Sequence, residues 1–330
     1  MRGYVERYTL CLLAILSLLL AGCDARDAAP AGDRRASRAA CAEAQTALSS
    51  GNIAAAKTAW ERAAKLDPAD PEPHAARGRY HWALRQFREA AEAFEEAYRR
   101  APDDVEILMA LIQTRKDAGD QTRTEELARR AVELAPDNPK ARVYLGTYLS
   151  ALSDRPGALE EAKTHLERAA QLAPGMPIPL IELGKTMRRQ GRYAEAETYL
   201  KTAWETLFQG RRTLRQLENM AEVERRRAET AYALAMCARA QDRRKEAAQW
   251  FARFREVDAR IERRSALASR ALSDPPDLNA LLELASLNNR YGGAEESVPL
   301  LRRALQIAPD NPAVRALAGE TERLLASPSP

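Results

Sequence analysis

The chain has 330 residues, 51 of them Lys or Arg and 47 Asp or Glu, for a formal net charge of +4. That length is too great for one compact core of ordinary size. The near balance of charge, with Lys and Arg interspersed among Glu, excludes a strongly basic nucleic-acid binder and reads as solvated helix faces. An aromatic content of 6% and an abundance of Ala, Leu, Glu and Arg predict helix throughout and almost no sheet.

At the N-terminus, Arg2 and Arg7 flank the apolar run Thr9 to Leu20. The run is too short to span a bilayer comfortably and has the length and flanks of a secretory h-region. It ends in Leu20-Ala21-Gly22-Cys23. These residues resemble the lipobox of bacterial lipoproteins. The resemblance implies a signal peptide over residues 1–22, cleavage after Gly22 and acylation of Cys23. Small residues let the backbone enter a peptidase site, and the thiol is the nucleophile that takes the diacylglycerol group. Several acyl chains make a stable anchor where one is marginal. The same resemblance implies a bacterial cell-envelope location, lipid-anchored and facing the periplasm. Asp24 favours the inner membrane, with the outer membrane as the alternative. An uncleaved anchor, or a plain signal peptide with a chance Cys, is the competing reading. Residues 23–36 are rich in Ala, Asp, Arg, Gly and Pro without an apolar period, and are expected to be a flexible tether.

The rest of the chain is periodic. Pro68, Pro102 and Pro136 are spaced by 34, and Pro174 follows after 38. Each closes a similar phrase, and Pro309 closes another far downstream. A fixed period in this range signals stacked repeats. Gly51, Gly119, Gly191 and Gly292 mark a tight turn inside four of the periods, and Gly157 does the same in a longer one. Arg85 and Asp242 stand where two others would carry Gly. Small residues recur in columns: Gly78, Gly146 and Gly184; Ala56, Ala90, Ala162, Ala196 and Ala247; Ala63, Ala97, Ala131, Ala169, Ala203 and Ala304. They permit close helix approach. Large residues share two further columns: Trp60, Phe94, Leu166, Leu200, Phe251 and Leu301, then Leu111, Leu145, Leu183, Leu234 and Leu284.

This pattern resembles the tetratricopeptide repeat family. The resemblance implies an all-α fold, a right-handed α-solenoid of about seven antiparallel helix-turn-helix repeats. Repeats one to five occupy residues 37–210, and a further repeat occupies 278–311. Residues 312–330 are expected to be a capping helix and tail. The fourth repeat carries four extra residues around Ser150 to Gly157. Arg77 replaces the usual Leu in the second. Over residues 211–277 the repeat is degenerate. No Gly or Pro interrupts Thr213 to Ala240 or Lys245 to Ser273, which predicts two unusually long helices near 213–273, paired as an extended hairpin. The basic stretches Arg211 to Arg215 and Arg225 to Arg227 read as solvated faces.

No catalytic constellation is visible. His74 and His81 lie seven apart on one expected helix without a supporting ligand, and His165 is isolated. No nucleophile elbow, zincin pattern or phosphate loop occurs. No enzyme activity, cofactor, metal or nucleic-acid partner is expected. Cys41 and Cys237 read as small buried side chains, with a disulfide as the alternative.

By resemblance to the family, the first helix of each repeat lines a concave groove. Its rows run Ala75, Met109, Val143, Ile181, Tyr232; then Arg79, Gln113, Thr147, Lys185, Met236; then Trp82, Lys116, Ser150, Arg188, Arg239. The expected partner-binding residues are Arg79, Trp82, Met109, Gln113, Lys116, Thr147, Ile181, Lys185, Arg188, Tyr232, Met236 and Arg239. Such a face suits an extended peptide or a helix with apolar anchors and acidic groups. The expected function is a membrane-anchored scaffold that binds envelope proteins or peptides. The alternatives are an assembly factor for pilus or secretin complexes, a structural oligomer and, least favoured, a metal-dependent enzyme within 205–277.

Overall fold

The computed structural model describes residues 32–49, 52–120, 123–209, 220–291 and 293–326. Among them are fifteen α-helices and no strand. In chain order they are α1 Arg34–Ser49, α2 Ile53–Leu66, α3 Glu72–Ala83, α4 Phe87–Arg100, α5 Val105–Asp117 and α6 Thr124–Leu134. Then come α7 Pro139–Ala151, α8 Ala158–Leu172, α9 Pro177–Arg189, α10 Tyr193–Gln209, α11 Met220–Ala240 and α12 Arg244–Ala271. The chain ends with α13 Leu278–Tyr291, α14 Ala294–Ile307 and α15 Pro312–Ala326. The fold is an all-α solenoid. It divides into two compact units, Met1–Leu127 and Ala128–Pro330, and the division falls inside α6. In the first unit α1 pairs with α2 and α3 with α4, and each pair packs on the helix that follows it. In the second, α7 pairs with α8, α9 with α10, α11 with α12 and α13 with α14, and α15 closes on α14.

The prolines end the second helices by one repeated device. Pro68, Pro102, Pro136, Pro174 and Pro309 each stand two residues past a helix end. The residue before each donates its N–H back into the helix, as Ala101 does to Ala97 and Ala173 to Ala169. The proline itself offers no N–H to continue. Two residues beyond three of them a side chain caps the next helix, whereas Met176 after Pro174 makes no such bond. The Asp104 carboxylate accepts from the N–H groups of Glu106 and Ile107, and the Asn138 and Asn311 side chains accept in the same way. Such a cap contributes roughly 1 kcal/mol.

The inner turns share a second device. Arg85, Gly119, Gly191 and Asp242 each stand two residues past the end of a first helix, all with positive φ, 59°, 74°, 74° and 56°. The next residue, Gln86, Asp120, Arg192 or Arg243, donates its N–H to a carbonyl five residues back, 2.9 Å in every case. This is the Schellman closure, which uses the left-handed residue to satisfy a carbonyl the helix leaves open. Arg85 and Asp242 therefore take the glycine conformation without being glycine. Gly157 has φ 79° but stands directly before α8, not at the end of α7. The four extra residues of that period form the intervening turn. Gly51 and Gly292 lie outside the described residues.

The glycine column is a steric necessity. A Cβ at Gly78 would lie 2.9 Å from the Phe94 ring, and one at Gly146 would lie 2.6 Å from Leu166 Cγ. At Gly184 it would collide with Leu200. The small and large columns thus interlock within a hairpin. Ala56, Ala63, Ala90, Ala97, Ala131, Ala162, Ala169, Ala196, Ala203 and Ala304 are fully buried. The last aromatic of the large column departs: Phe251 is half-buried, and its neighbour Trp250 takes the buried place, 5.3 Å from Trp204.

The α11–α12 hairpin differs in length and in what it buries. Its helices have 21 and 28 residues. The start of the expected first helix, from Thr213, lies outside the described residues. Between the two helices Glu224 is completely buried. It accepts from Arg227 at 2.7 Å and from Arg260 Nε at 2.8 Å, both arginines buried as well. The Arg227 guanidinium lies over the Phe208 ring and also donates to the Leu207 carbonyl, while that of Arg260 lies over the Tyr291 ring.

Candidate partner-binding faces

In the first unit, α3 and α5 present the expected groove residues. Trp82 is 46% exposed, and its indole N–H donates to the Asp117 carboxylate at 2.9 Å. Gln113 donates to the other oxygen of the same carboxylate at 2.8 Å. One anion thus fixes an aromatic ring and an amide from two helices. Lys116 is exposed beside them, and Arg79 is exposed and paired with Glu72. Met109 does not join this face. It is buried, because its helix turns it into the packing against its neighbours.

In the second unit, α7, α9 and α11 carry the rest. Thr147 is half-buried. Ser150 is buried and accepts from the Thr186 hydroxyl at 2.9 Å, so it serves packing between α7 and α9. Ile181 is completely buried in a cluster with Ala203, Leu207 and Val223, and it offers no surface to a partner. Met109 and Ile181 are therefore corrections to the expected groove. Lys185 is held between Glu182, at 2.8 Å, and Glu229. Burial works against its charge, but the two carboxylates prevail and raise its pKa. It is a structural cation and not a free one. Arg188 is half-buried, and its Nε is buried without a hydrogen-bond acceptor among the described residues. Met236 is half-buried and Arg239 exposed. Tyr232 is 46% exposed and packs edge-on against Phe251 and Phe254.

An open trench of about 740 Å³ lies on the first unit, lined by Arg88, Glu92, Glu95 and Arg115 among others. Arg115 bridges Glu95 and Asp120, each at 2.8 Å. Its acids and bases look in sequence like ordinary solvated helix residues, which hides it.

Among the described residues no convergent acid, base or nucleophile set stands out. Among the described residues no group of three or more His, Cys, Asp or Glu is arranged to hold a metal ion. His74 and His81 share α3. Burial, with Arg100 and Arg77 adding to it, pushes His74 down to about 4. His81 Nδ1 lies 2.7 Å from the Gln86 side-chain oxygen. Cys41 and Cys237 are free and buried, and burial pushes both thiols up to about 11. Cys23 lies outside the described residues. Among the described residues no helix is long and apolar enough to cross a membrane.

Comparison with known proteins adds a family pattern. Residues 75–139 and 155–212 match family models of the tetratricopeptide repeat. A TPR repeat-containing protein of Pseudomonas aeruginosa is 30% identical over 118 residues, 36% of this chain and 20% of that protein. The match thus spans about a fifth of that relative's length. Among solved structures, the APC/C hetero-tetramer Cut9–Hcn1 aligns with a TM-score of 0.50 at 15% identity, over 81% of this chain and 45% of that one. The MamA protein aligns with a TM-score of 0.43 at 17% identity, over 58% of this chain and 92% of that one. Residues 75–139 and 155–212 carry tetratricopeptide repeats, set within an all-α solenoid.

Proposed function

We propose that the chain is an interaction scaffold that holds protein or peptide partners on the first-helix faces of its repeats, tethered to a bacterial membrane through an acylated Cys23. The observation that carries the binding face is Trp82. A large aromatic ring stands nearly half exposed, and its polar edge is already fixed by Asp117. Such a ring loses little freedom on binding, which is what favours rigid aromatic anchors at interfaces. Lys116 and Arg79 add donors for acidic groups of the partner. The lipobox-like residues support the tether, and the tetratricopeptide repeats over residues 75–139 and 155–212 support a binding role.

Two measurements test the two halves of this reading. A pull-down with Trp82→Ala, Lys116→Glu should lose partners that wild type and the outward control Glu89→Ala both retain. An unchanged partner set would remove the α3–α5 face from consideration. For the tether, Cys23→Ala should move the protein from the membrane fraction to the soluble fraction and abolish labelling by a fatty-acid analogue. Labelling that survived would refute acylation at that residue.

A further inference from the structure

Each regular hairpin of the second unit is covered by the one that follows. Val143 on α7 clusters with Leu183 on α9, and Ile181 on α9 clusters with Val223 on α11. The alanines of the second helices, Ala169 and Ala203, belong to the same two clusters. A methyl group there lets the incoming first helix approach closely. Ala304 meets Val314 of α15 in the same way.

The α11–α12 hairpin breaks this rule at both positions. Tyr232 takes the register place of Val143 and Ile181, yet it is 46% exposed. Phe254 takes the place of Ala169 and Ala203, seven residues past Ala247 as they are past Ala162 and Ala196. The Tyr232 and Phe254 rings meet edge-on at 5.5 Å, and Phe251 joins them at 6.1 Å. A ring at that alanine position is compatible only with a neighbour that arrives differently, or with none.

The next hairpin docks elsewhere. Arg260 lies over Tyr291 at 4.1 Å, Arg264 pairs with Glu296 at 3.0 Å, and the Met220 N–H donates to Glu296. The α13–α14 pair therefore sits on the far half of α12 and the start of α11. What stays uncovered is one face of α12 from Arg244 to about Asp258, beside the buried Trp250 that meets Trp204 of α10. That is about 22 Å of helix at 1.5 Å per residue, close to the length of one first helix such as α9. The exposed charge beside the rings is mainly basic. Arg239 lies two turns from Tyr232 on α11, and Arg255 lies one turn from Phe251 on α12. Both are exposed, and neither makes an ion pair among the described residues. The exposed acids of this stretch, Glu256 and Asp258, lie at its far end, and Glu246 is held by Lys201 and Arg243.

We propose that this aromatic face is a docking site for one amphipathic helix of a partner protein, carrying apolar anchors at helical spacing with Asp or Glu beside them. The partner helix occupies the place that the first helix of a following repeat would have held. Tyr232, Phe251 and Phe254 receive its anchors, and Arg239 and Arg255 meet its acids. This site is separate from the α3–α5 face of the first unit.

The test titrates the full chain with two labelled helical peptides of one length. Both carry Leu at i, i+3, i+4 and i+7, and their flanks are all Glu in one and all Lys in the other. The Glu-flanked peptide should bind at least about tenfold tighter than the Lys-flanked one, a ratio equal to 1.4 kcal/mol. Tyr232→Ala and Phe254→Ala should each weaken it by about tenfold, as removal of an aromatic anchor does. The double change Arg239→Glu, Arg255→Glu lies wholly on exposed side chains. It should reverse the preference while leaving the thermal melt unchanged, which keeps the test valid if Phe254→Ala perturbs folding. Trp82→Ala should have no effect, which separates this site from the first-unit face. Equal binding of the two peptides, or no binding, would overturn the proposal. So would light scattering that found a dimer of the full chain dissolved by Arg255→Glu, because a second copy would then own the face.

Discussion

The regular hairpins of residues 139–209 and the long hairpin of residues 220–271 use one register for different ends. In the regular stretch a glycine on the first helix admits a leucine from the second, and an alanine on the second admits the next hairpin. Gly146 with Leu166, Gly184 with Leu200, and Ala169 and Ala203 fill these roles. Stability there is apolar packing repeated at fixed intervals, and each buried leucine contributes about 2 kcal/mol. The long hairpin keeps Ala247 and Leu234 but replaces the outer alanine by Phe254. It adds a buried carboxylate shared by two arginines. The lesson is that stacking in such a chain is decided by one or two side chains per hairpin. Where they are small the next repeat seats itself. Where they are large the array must continue by another contact, and here that contact is polar.

The sharpest way to break the comparison is to remove the polar contact. Glu224→Gln removes the buried carboxylate that Arg227 and Arg260 share. Breaking a buried pair in this way costs about 3–5 kcal/mol. Denaturant unfolding should show that loss, together with an early transition reported from α11 to α13. A loss below about 1 kcal/mol would mean that the arginines find water, as surface pairs do. A change in the regular stretch should cost less. Gly146→Ala brings a Cβ to 2.6 Å from Leu166 Cγ and 3.2 Å from the Ala162 carbonyl oxygen. The leucine can yield and the backbone cannot, so overpacking of about 1–3 kcal/mol is expected. The same substitution at Gly319, where nothing lies within 4 Å, should stabilise the exposed helix slightly. Equal effects at the two glycines would refute the steric account of the column.

The hairpin order was legible because its signals act locally. Proline removes an amide wherever it stands, and the inner turns close on a positive-φ residue two past the first helix, at Arg85, Gly119, Gly191 and Asp242. Arg85 and Asp242 were recognisable as turn residues by position alone, and the structure gives them glycine's backbone. The glycine column was legible for a related reason, since Gly146 and Leu166, like Gly184 and Leu200, lie in one hairpin. The faces were harder to read. Met109 and Ile181 are covered by packing that depends on how hairpins stack, which no window of sequence contains. Glu224 and Arg227 look in sequence like Glu222 and Arg225, three apart on the same helix. One pair is buried and the other is not, and the difference is Arg260, 33 residues beyond Arg227. Phe254 falls where the sequence reads only as a degenerate repeat, and its exposed neighbour Tyr232 is what gives it meaning.

The smallest expected effect probes what the two regions share. Asp242 closes the first helix of the long hairpin as Gly191 closes that of a regular one, with φ 56° against 74° and the same 2.9 Å return bond from the next residue. A side chain with a Cβ pays a steric cost of roughly 1–2 kcal/mol in that conformation. Glycine escapes it but loses more chain entropy on folding, so the net gain from Asp242→Gly should be only about 0.5–1 kcal/mol. Asp242 also pairs with Arg244 at 3.0 Å, but both side chains are more than four-fifths exposed, so that pair offsets little of the gain. Thermal unfolding should therefore shift upward by a few degrees at most. Asp242→Ala should shift it downward, because alanine keeps the Cβ and loses the local hydrogen bonding that lets Asp tolerate this region. If both substitutions moved the transition in the same direction, the turn would be held by its surroundings and not by its own backbone, and the likeness between the two hairpins would end at the φ angle.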